Sequence, residues 1–141
     1  MIALLLLLIL SLVSISEGLF GMGRMQSVGV AGRLLCNGMP TPGIRVKLYD
    51  SEIFFDHELA ITYSNPMGVF MLSGHKREFS SIEPRLYIYH RCNYNGPCLK
   101  KSEIEVPRQF ITDGKIPMVT YQLGPVELTG RFHSDSVDCI N

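Results

Sequence analysis

The chain has 141 residues, and its 13 Lys and Arg side chains are balanced by 13 Asp and Glu side chains, so the formal net charge is zero. This balance argues against a protein that binds nucleic acid through bulk electrostatics, because such proteins carry an excess of positive charge. The length is that of one ordinary domain with its own hydrophobic core.

The N-terminal segment is a leucine-rich apolar run that begins at Ile2. Its length of about 12 residues is typical of a signal-peptide core and is short of the ~20 residues that a membrane span requires. Cleavage after Gly18, or nearly as well after Ser16, fits the small-x-small rule. We therefore predict a signal peptide over residues 1–18 and a secreted, extracellular protein without a stable membrane span. A membrane anchor is the alternative.

The chain beyond the predicted signal peptide alternates between apolar and polar residues and has no clear helical stripe. Ile44, Val46 and Leu48, for example, alternate with polar and aromatic side chains, which is typical of a half-buried strand. We predict a linker over residues 19–27 and one domain over residues 28–141. The predicted strands cover residues 28–36, 44–49, 59–63, 69–72, 86–90, 99–106, 119–123 and 126–132.

Clusters of Gly, Pro and Asn separate the predicted strands, notably over residues 37–43, 93–97 and 112–114. Gly124 and Pro125 form a tighter link, and we predict that the strands on either side of it pair antiparallel. About seven or eight short antiparallel strands in ~100 residues predict an all-β fold of the β-sandwich type, with a closed barrel as the alternative.

The four cysteines, Cys36, Cys92, Cys98 and Cys139, are an even number in a chain predicted to be exported, so they predict a disulfide framework. Three pairings are possible. We favour Cys92 with Cys98, because that bond is local, which leaves Cys36 with Cys139. A metal site that uses His90 and two of the cysteines is a weaker alternative, since the C-x5-C spacing differs from the C-x2-C of zinc sites. A redox-active pair is disfavoured by the absence of C-x-x-C.

Motifs along the chain include Leu34-Leu-Cys-Asn-Gly38, Thr62-Tyr-Ser-Asn-Pro-Met-Gly-Val-Phe70, Tyr89-His-Arg-Cys-Asn93, Pro107-Arg-Gln-Phe-Ile-Thr112 and Asp138-Cys-Ile140. Together these motifs resemble the nematode transthyretin-like protein family, and all four cysteines fall at family positions. The resemblance implies a transthyretin-like sandwich of two antiparallel sheets, of the immunoglobulin or prealbumin type, in a secreted protein. Some relatives are thought to act as extracellular binding or bridging factors, including in the recognition of dying cells.

A small exported sandwich with balanced charge favours a non-enzymatic binding or signalling module. Its expected partner is an extracellular protein or lipid, such as a cell-surface receptor or a membrane lipid. Tyr87 and Tyr89 alternate with aliphatic residues and are candidates for an exposed binding face, although we favour a place in the core for them. Two basic pairs are candidates for contacts with acidic lipid headgroups, with plain solvation as the alternative: Lys76-Arg77 and Lys100-Lys101.

Two other functions stay open at this point. One is a carrier of a small apolar ligand. The other is a hydrolase of the hydroxyisourate hydrolase type, which resembles this chain only at the level of the fold and uses a C-terminal Tyr-Arg-Gly-Ser that is absent here. Four histidines lie in unrelated contexts, the first two of them in predicted loops: His57, His75, His90 and His133. We expect no catalytic residue, cofactor or metal ion, and the oligomeric state is open.

Overall fold

The computed structural model describes residues 1–21, 23–130 and 135–141, with side chains described outside residues 13–22 and 131–134. An N-terminal helix, α1 (Ile2–Gly21), precedes the strands. Within the described ranges, none of the helices has the length and apolarity needed to cross a membrane. The signal peptide predicted over residues 1–18 lies in α1 from Ile2 onward and stays a prediction.

Ten strands are described, and they form two five-stranded sheets. In chain order they are β1 (Arg24–Cys36), β2 (Met39–Pro40), β3 (Arg45–Ser51), β4 (Asp56–Tyr63), β5 (Val69–Glu78), β6 (Pro84–His90), β7 (Leu99–Glu105), β8 (Thr112–Asp113), β9 (Thr120–Glu127) and β10 (Ser136–Asp138). The first sheet is built on β1, which pairs with β2, β5, β8 and β9, and the second has the order β10-β7-β6-β3-β4. The all-β sandwich predicted from the alternation is confirmed.

The core lies between the two sheets and is mostly aliphatic. It is formed by the inward residues of each strand, because successive side chains of a strand point to opposite faces. Its buried members are Val28, Val30, Leu34, Val46, Leu48, Phe70, Leu72, Ile82, Leu86, Ile88, Cys92, Val106, Val126 and Leu128.

Strand β1 begins at Arg24, within the linker that we predicted over residues 19–27, and its first residues pair with the end of β5. The apolar alternation does not reveal this extension because Gln26 and Ser27 are polar and yet completely buried. The amide of Gln26 is satisfied by backbone groups, so its burial carries no unpaired amide.

Strand β9 runs through Gly124 and Pro125, so the antiparallel pair predicted across this link is wrong. The strand pairs parallel with β1, and the register shifts between Ala31 and Arg33. Gly124 has a φ of 68°, a backbone conformation that glycine adopts without the steric cost of a Cβ. The Gly-Pro sequence therefore makes an irregularity inside one strand rather than a turn between two.

The disulfide pairing that we favoured from the sequence is also wrong. The bonds join Cys36 to Cys92, with 5.7 Å between the Cα atoms, and Cys98 to Cys139, with 4.7 Å between them. The first bond links the end of β1 in one sheet to Cys92, two residues after β6 of the other sheet. The second bond links Cys139, just after β10, to Cys98, just before β7. Three-dimensional proximity across strands, rather than proximity in sequence, decides the pairing.

Candidate functional site

The described residues place four large apolar side chains in solvent at one end of the sandwich. Ile53, Phe54 and Phe55 lie in the loop between β3 and β4 and are 93%, 92% and 61% exposed, and Phe79, just beyond β5, is 70% exposed. We call these four residues the aromatic tip. Scattered exposed apolar residues are common, but adjoining ones mark interaction surfaces.

The base of the aromatic tip is held by buried hydrogen bonds. The Gln26 side chain donates to the carbonyl oxygen of Ser80 at 2.7 Å and accepts the backbone N–H of Ile82 at 2.9 Å. Ile82 is itself fully buried in the core. The segment that carries Phe79 is anchored before the ring by the pairing of Glu78 with Arg24 and after it by these bonds, whereas the aromatic ring itself is exposed.

A cluster of charged side chains lies beneath the tip, and we call it the charged floor: Asp50, Glu52, Lys76 and Glu78. The Lys76 ammonium donates to Asp50 Oδ2 at 3.1 Å, bonds Glu52 Oε1, and lies 2.5 Å from Glu78 Oε1. Asp50 is buried, and its second oxygen accepts the backbone N–H of Glu83 at 2.8 Å. The tip and the three carboxylates of the floor line a cleft of about 530 Å³.

The pKa values of the floor follow from this arrangement. Burial lowers the pKa of Lys76, but hydrogen bonds to the three carboxylates outweigh it and raise that pKa overall. The hydrogen bond from Lys76 lowers the pKa of Glu52, and burial raises that of Glu78. The three carboxylates lie within 4.8 Å of one another, as in a cation site, but the Lys76 ammonium already bonds each of them. With all its groups ionised the floor carries two net negative charges.

The four residues of the two basic pairs proposed from the sequence make hydrogen bonds or ion pairs within the protein. Besides Lys76 in the floor, Arg77 donates to the carbonyl oxygen of Gly23 at 2.6 Å. Lys100 lies 3.4 Å from Asp135, and Lys101 lies 3.8 Å from Asp138. These partners compete with a lipid headgroup, so the structure weakens the hypothesis that the two pairs recognise acidic headgroups.

The two candidate tyrosines lie on the outer face of the second sheet and are nevertheless covered. Tyr87 and Tyr89 are 6% and 5% exposed, while Leu86 and Ile88 occupy the core. The Lys101 ammonium lies 4.7 Å from the centre of the Tyr87 ring, and burial raises the pKa of both tyrosines. The core position that we favour from the sequence for the two tyrosines is therefore wrong, and the open tyrosine surface of the alternative is also absent at these two residues.

His90 takes part in a buried hydrogen-bond chain. The metal site considered for His90 and two cysteines has no free thiolate to offer, because the cysteines are bonded in disulfides. The Nδ1 atom of His90 accepts the backbone N–H of Cys92 at 3.1 Å, so Nε2 carries the proton and donates to Ser102 Oγ at 3.1 Å. Ser102 in turn donates to Asp135 at 2.7 Å. The serine proton therefore points away from the imidazole, and His90 is not placed to activate Ser102 as a nucleophile. Burial lowers the pKa of His90.

Neither His57 nor His75 takes part in this hydrogen-bond chain. His57 and His75 lie in β4 and β5 as exposed residues, so their predicted placement in loops is wrong. His133 lies outside the described residues.

The model of the transthyretin-like family (TTR-52) matches residues 31–107, more than half of the chain and most of the two-sheet core. This chain belongs to the transthyretin-like family.

The curated relatives of this transthyretin-like chain are nematode proteins of the same kind. Transthyretin-like protein 5 of Caenorhabditis elegans is 40% identical over 96% of this chain and 99% of its own length. Transthyretin-like protein 2 and transthyretin-like protein 33 of the same organism are each 34% identical, over 84% and 82% of this chain and 86% and 83% of their own lengths.

Among solved structures, a 9R-lipoxygenase from Cyanothece PCC8801 matches 76% of this transthyretin-like chain at 15% identity with a TM-score of 0.40, and the chain spans 16% of that enzyme. A likeness at this level carries no argument about activity.

Proposed function

We propose that this transthyretin-like protein is a secreted, non-enzymatic binding module that attaches to a lipid surface through its aromatic tip. Two disulfides and the leucine-rich N-terminal segment support an oxidising, extracellular location. The single observation that carries the proposal is the exposure of Ile53, Phe54, Phe55 and Phe79 at one end of the fold.

The size of the apolar contact is sufficient for reversible membrane attachment. Full burial of one such side chain stabilises by about 1.5–3 kcal/mol, so four of them supply on the order of 6–12 kcal/mol before the costs of ordering and orientation. A lipid surface suits this tip because three of the residues are consecutive in a loop that projects beyond the strands, and such a projection enters a deformable apolar phase without a matching pocket.

The charge beside the aromatic tip determines which kind of lipid surface the protein can approach. The charged floor carries two net negative charges, and the two other charged residues that line the cleft, Arg77 and Glu83, offset each other. An anionic membrane would therefore repel this end of the protein, whereas a zwitterionic surface offers apolar insertion without that repulsion. We accordingly propose phosphatidylcholine-rich membrane as the partner rather than an acidic-lipid patch.

The proposal predicts that oxidised protein, purified from secreting cells, sediments with vesicles of phosphatidylcholine alone. The double variant Phe54→Ser, Phe55→Ser should bind these vesicles at least about tenfold more weakly, because two apolar side chains no longer leave water. Adding 20% phosphatidylserine should not strengthen wild-type binding. Partitioning between pellet and supernatant, measured at about 0.15 M salt to limit electrostatic artefacts, gives the affinities.

The matched control is Met39→Ser, which removes a 68% exposed apolar side chain at the opposite end of β1 and should leave binding unchanged. Equal binding by wild type and the tip double variant would contradict the proposal, and so would binding that requires phosphatidylserine. A wild-type protein that ignores vesicles but attaches to cells in a protease-sensitive manner would replace the lipid surface with a protein receptor.

A further inference from the structure

The outer face of the second sheet carries a layer of tyrosines covered by cations. The rings of Tyr49 and Tyr87 contact each other at an interplanar angle of 37°, with their centres 4.8 Å apart. Arg45 and Lys47 both approach the neighbouring Tyr89 ring, with the Arg45 Cζ at 5.1 Å and the Lys47 Nζ at 5.6 Å from its centre. Cations over aromatic faces are attracted by the ring quadrupole, so these side chains lie flat on the sheet.

Most cations of this face already have a carboxylate partner. Lys47 lies 3.3 Å from Glu58, and Arg85 lies 2.5 Å from Glu103. Lys101 has a carboxylate at 3.8 Å. Their positive charges are therefore compensated from within the protein.

Arg45 differs from these cations. Its Nε is buried and has no hydrogen-bond acceptor, and the described part of the chain gives its guanidinium no ion-pair partner. The side chain is partly buried against Tyr89. Because Nε is out of reach of solvent, an anion would engage the guanidinium through its Nη groups, and its charge would compensate a cation that is partly removed from water.

The surroundings of Arg45 indicate the kind of anion. Arg45 pairs across the strands with Tyr63 on one side and Tyr89 on the other, and directly opposite residues have Cβ atoms about 5 Å apart on the same face. Tyr63 is 58% exposed, so its ring is available beside the guanidinium. A guanidinium binds the paired oxygens of a carboxylate, sulfate or phosphate through two parallel hydrogen bonds.

We propose that Arg45 and Tyr63 form a binding site for an oxyanion carried on a ring, such as an aryl or sugar sulfate, phosphate or carboxylate. The guanidinium fork takes the oxyanion, and the exposed Tyr63 ring supports the adjoining ring of the ligand. This site lies on the face of the second sheet, away from the aromatic tip, and its existence does not depend on the proposed lipid attachment.

The test is an NMR titration of the oxidised protein that follows the Arg45 Nε–H signal, which burial protects from exchange with water. The probes are phenyl phosphate, phenyl sulfate and benzoate, with benzyl alcohol as the neutral control. Saturable shifts of the Arg45 signal with at least one anionic probe, and none with benzyl alcohol, are expected. A shift of the Arg45 signal with only one of the three anionic probes would identify whether the site binds a phosphate, a sulfate or a carboxylate.

Two variants distinguish binding through the paired hydrogen bonds of the Arg45 guanidinium from a general effect of positive charge. Arg45→Lys keeps the positive charge over Tyr89 but loses the fork, and binding of the best probe should weaken about tenfold. Arg33→Lys changes an exposed arginine on the first sheet and should bind as wild type does. An unmoved Arg45 signal with all anions, equal shifts with benzyl alcohol, or equal weakening by both variants would overturn the site.

Discussion

The variants Cys98→Ala and Cys139→Ala should lose the same stability, about 4 kcal/mol in free energy of unfolding, because each removes the same bond. The size follows from the loop-closure entropy of a bond that spans 41 residues of sequence separation. Urea unfolding of the oxidised proteins, followed by circular dichroism, measures the loss. The double variant Cys98→Ala, Cys139→Ala should be about as stable as either single variant.

The same experiment distinguishes the pairing from the one that the sequence favours. A Cys92–Cys98 bond would close a short loop, while a Cys36–Cys139 bond would close a long one, so Cys139→Ala would then cost clearly more than Cys98→Ala. That unequal result would contradict the observed bonds. Cys36→Ala provides the matched comparison, because its bond to Cys92 spans a separation of 56 residues and should contribute a similar stabilisation of about 4 kcal/mol.

Replacing Lys76 by methionine should destabilise the protein by about 3 kcal/mol at pH 7, because it leaves mostly buried carboxylates without their shared cation. The Asp50 side chain is 2% exposed and that of Lys76 is 18% exposed, so solvent screens this contact little. Lys100→Met is the control, since Lys100 contacts the single carboxylate of Asp135 in a more exposed pair and should cost about 1 kcal/mol or less.

The free energy of unfolding should depend on pH in a direction that the charged floor fixes. In the wild type the pKa of Lys76 is raised in the folded state, so its stabilisation is complete below the unfolded value of about 10.4 and is lost as the pH rises through the folded value. In Lys76→Met the unpaired carboxylates acquire raised pKa values, and the deficit should shrink as the pH falls from 7 towards about 4. A deficit no larger than that of Lys100→Met, or one independent of pH over this range, would contradict the charged floor.

The sandwich could be predicted from the sequence because its strands alternate in the simplest way. Val46 and Leu48 point into the core while Arg45 and Lys47 point out, and turn residues mark the boundaries. Apolar alternation does not predict buried polar residues. Gln26 is buried in β1 because backbone groups from elsewhere in the chain hydrogen-bond its amide, and the sequence pattern gives no sign of this.

The aromatic tip and the disulfide pairing required three-dimensional information. Ile53, Phe54 and Phe55 are apolar residues without alternation between two strands, and that break in pattern is the one sequence signal that could have pointed to them. Composition does not say whether such a run enters the core or faces solvent, because tertiary packing decides exposure. The unpaired state of Arg45 likewise depends on which carboxylates the neighbouring strands bring close.

Entry of the aromatic tip into a lipid phase can be followed with a single-tryptophan reporter. The chain contains no tryptophan, so Phe54→Trp gives one emission signal from the tip, and Met39→Trp gives a matched signal from the opposite end of β1. With phosphatidylcholine vesicles the Phe54→Trp emission should shift to shorter wavelength and be quenched by brominated acyl chains, while Met39→Trp stays unchanged. Emission from Phe54→Trp that remains at the wavelength of a water-exposed tryptophan, unquenched at saturating lipid, would show that the tip does not enter the lipid phase.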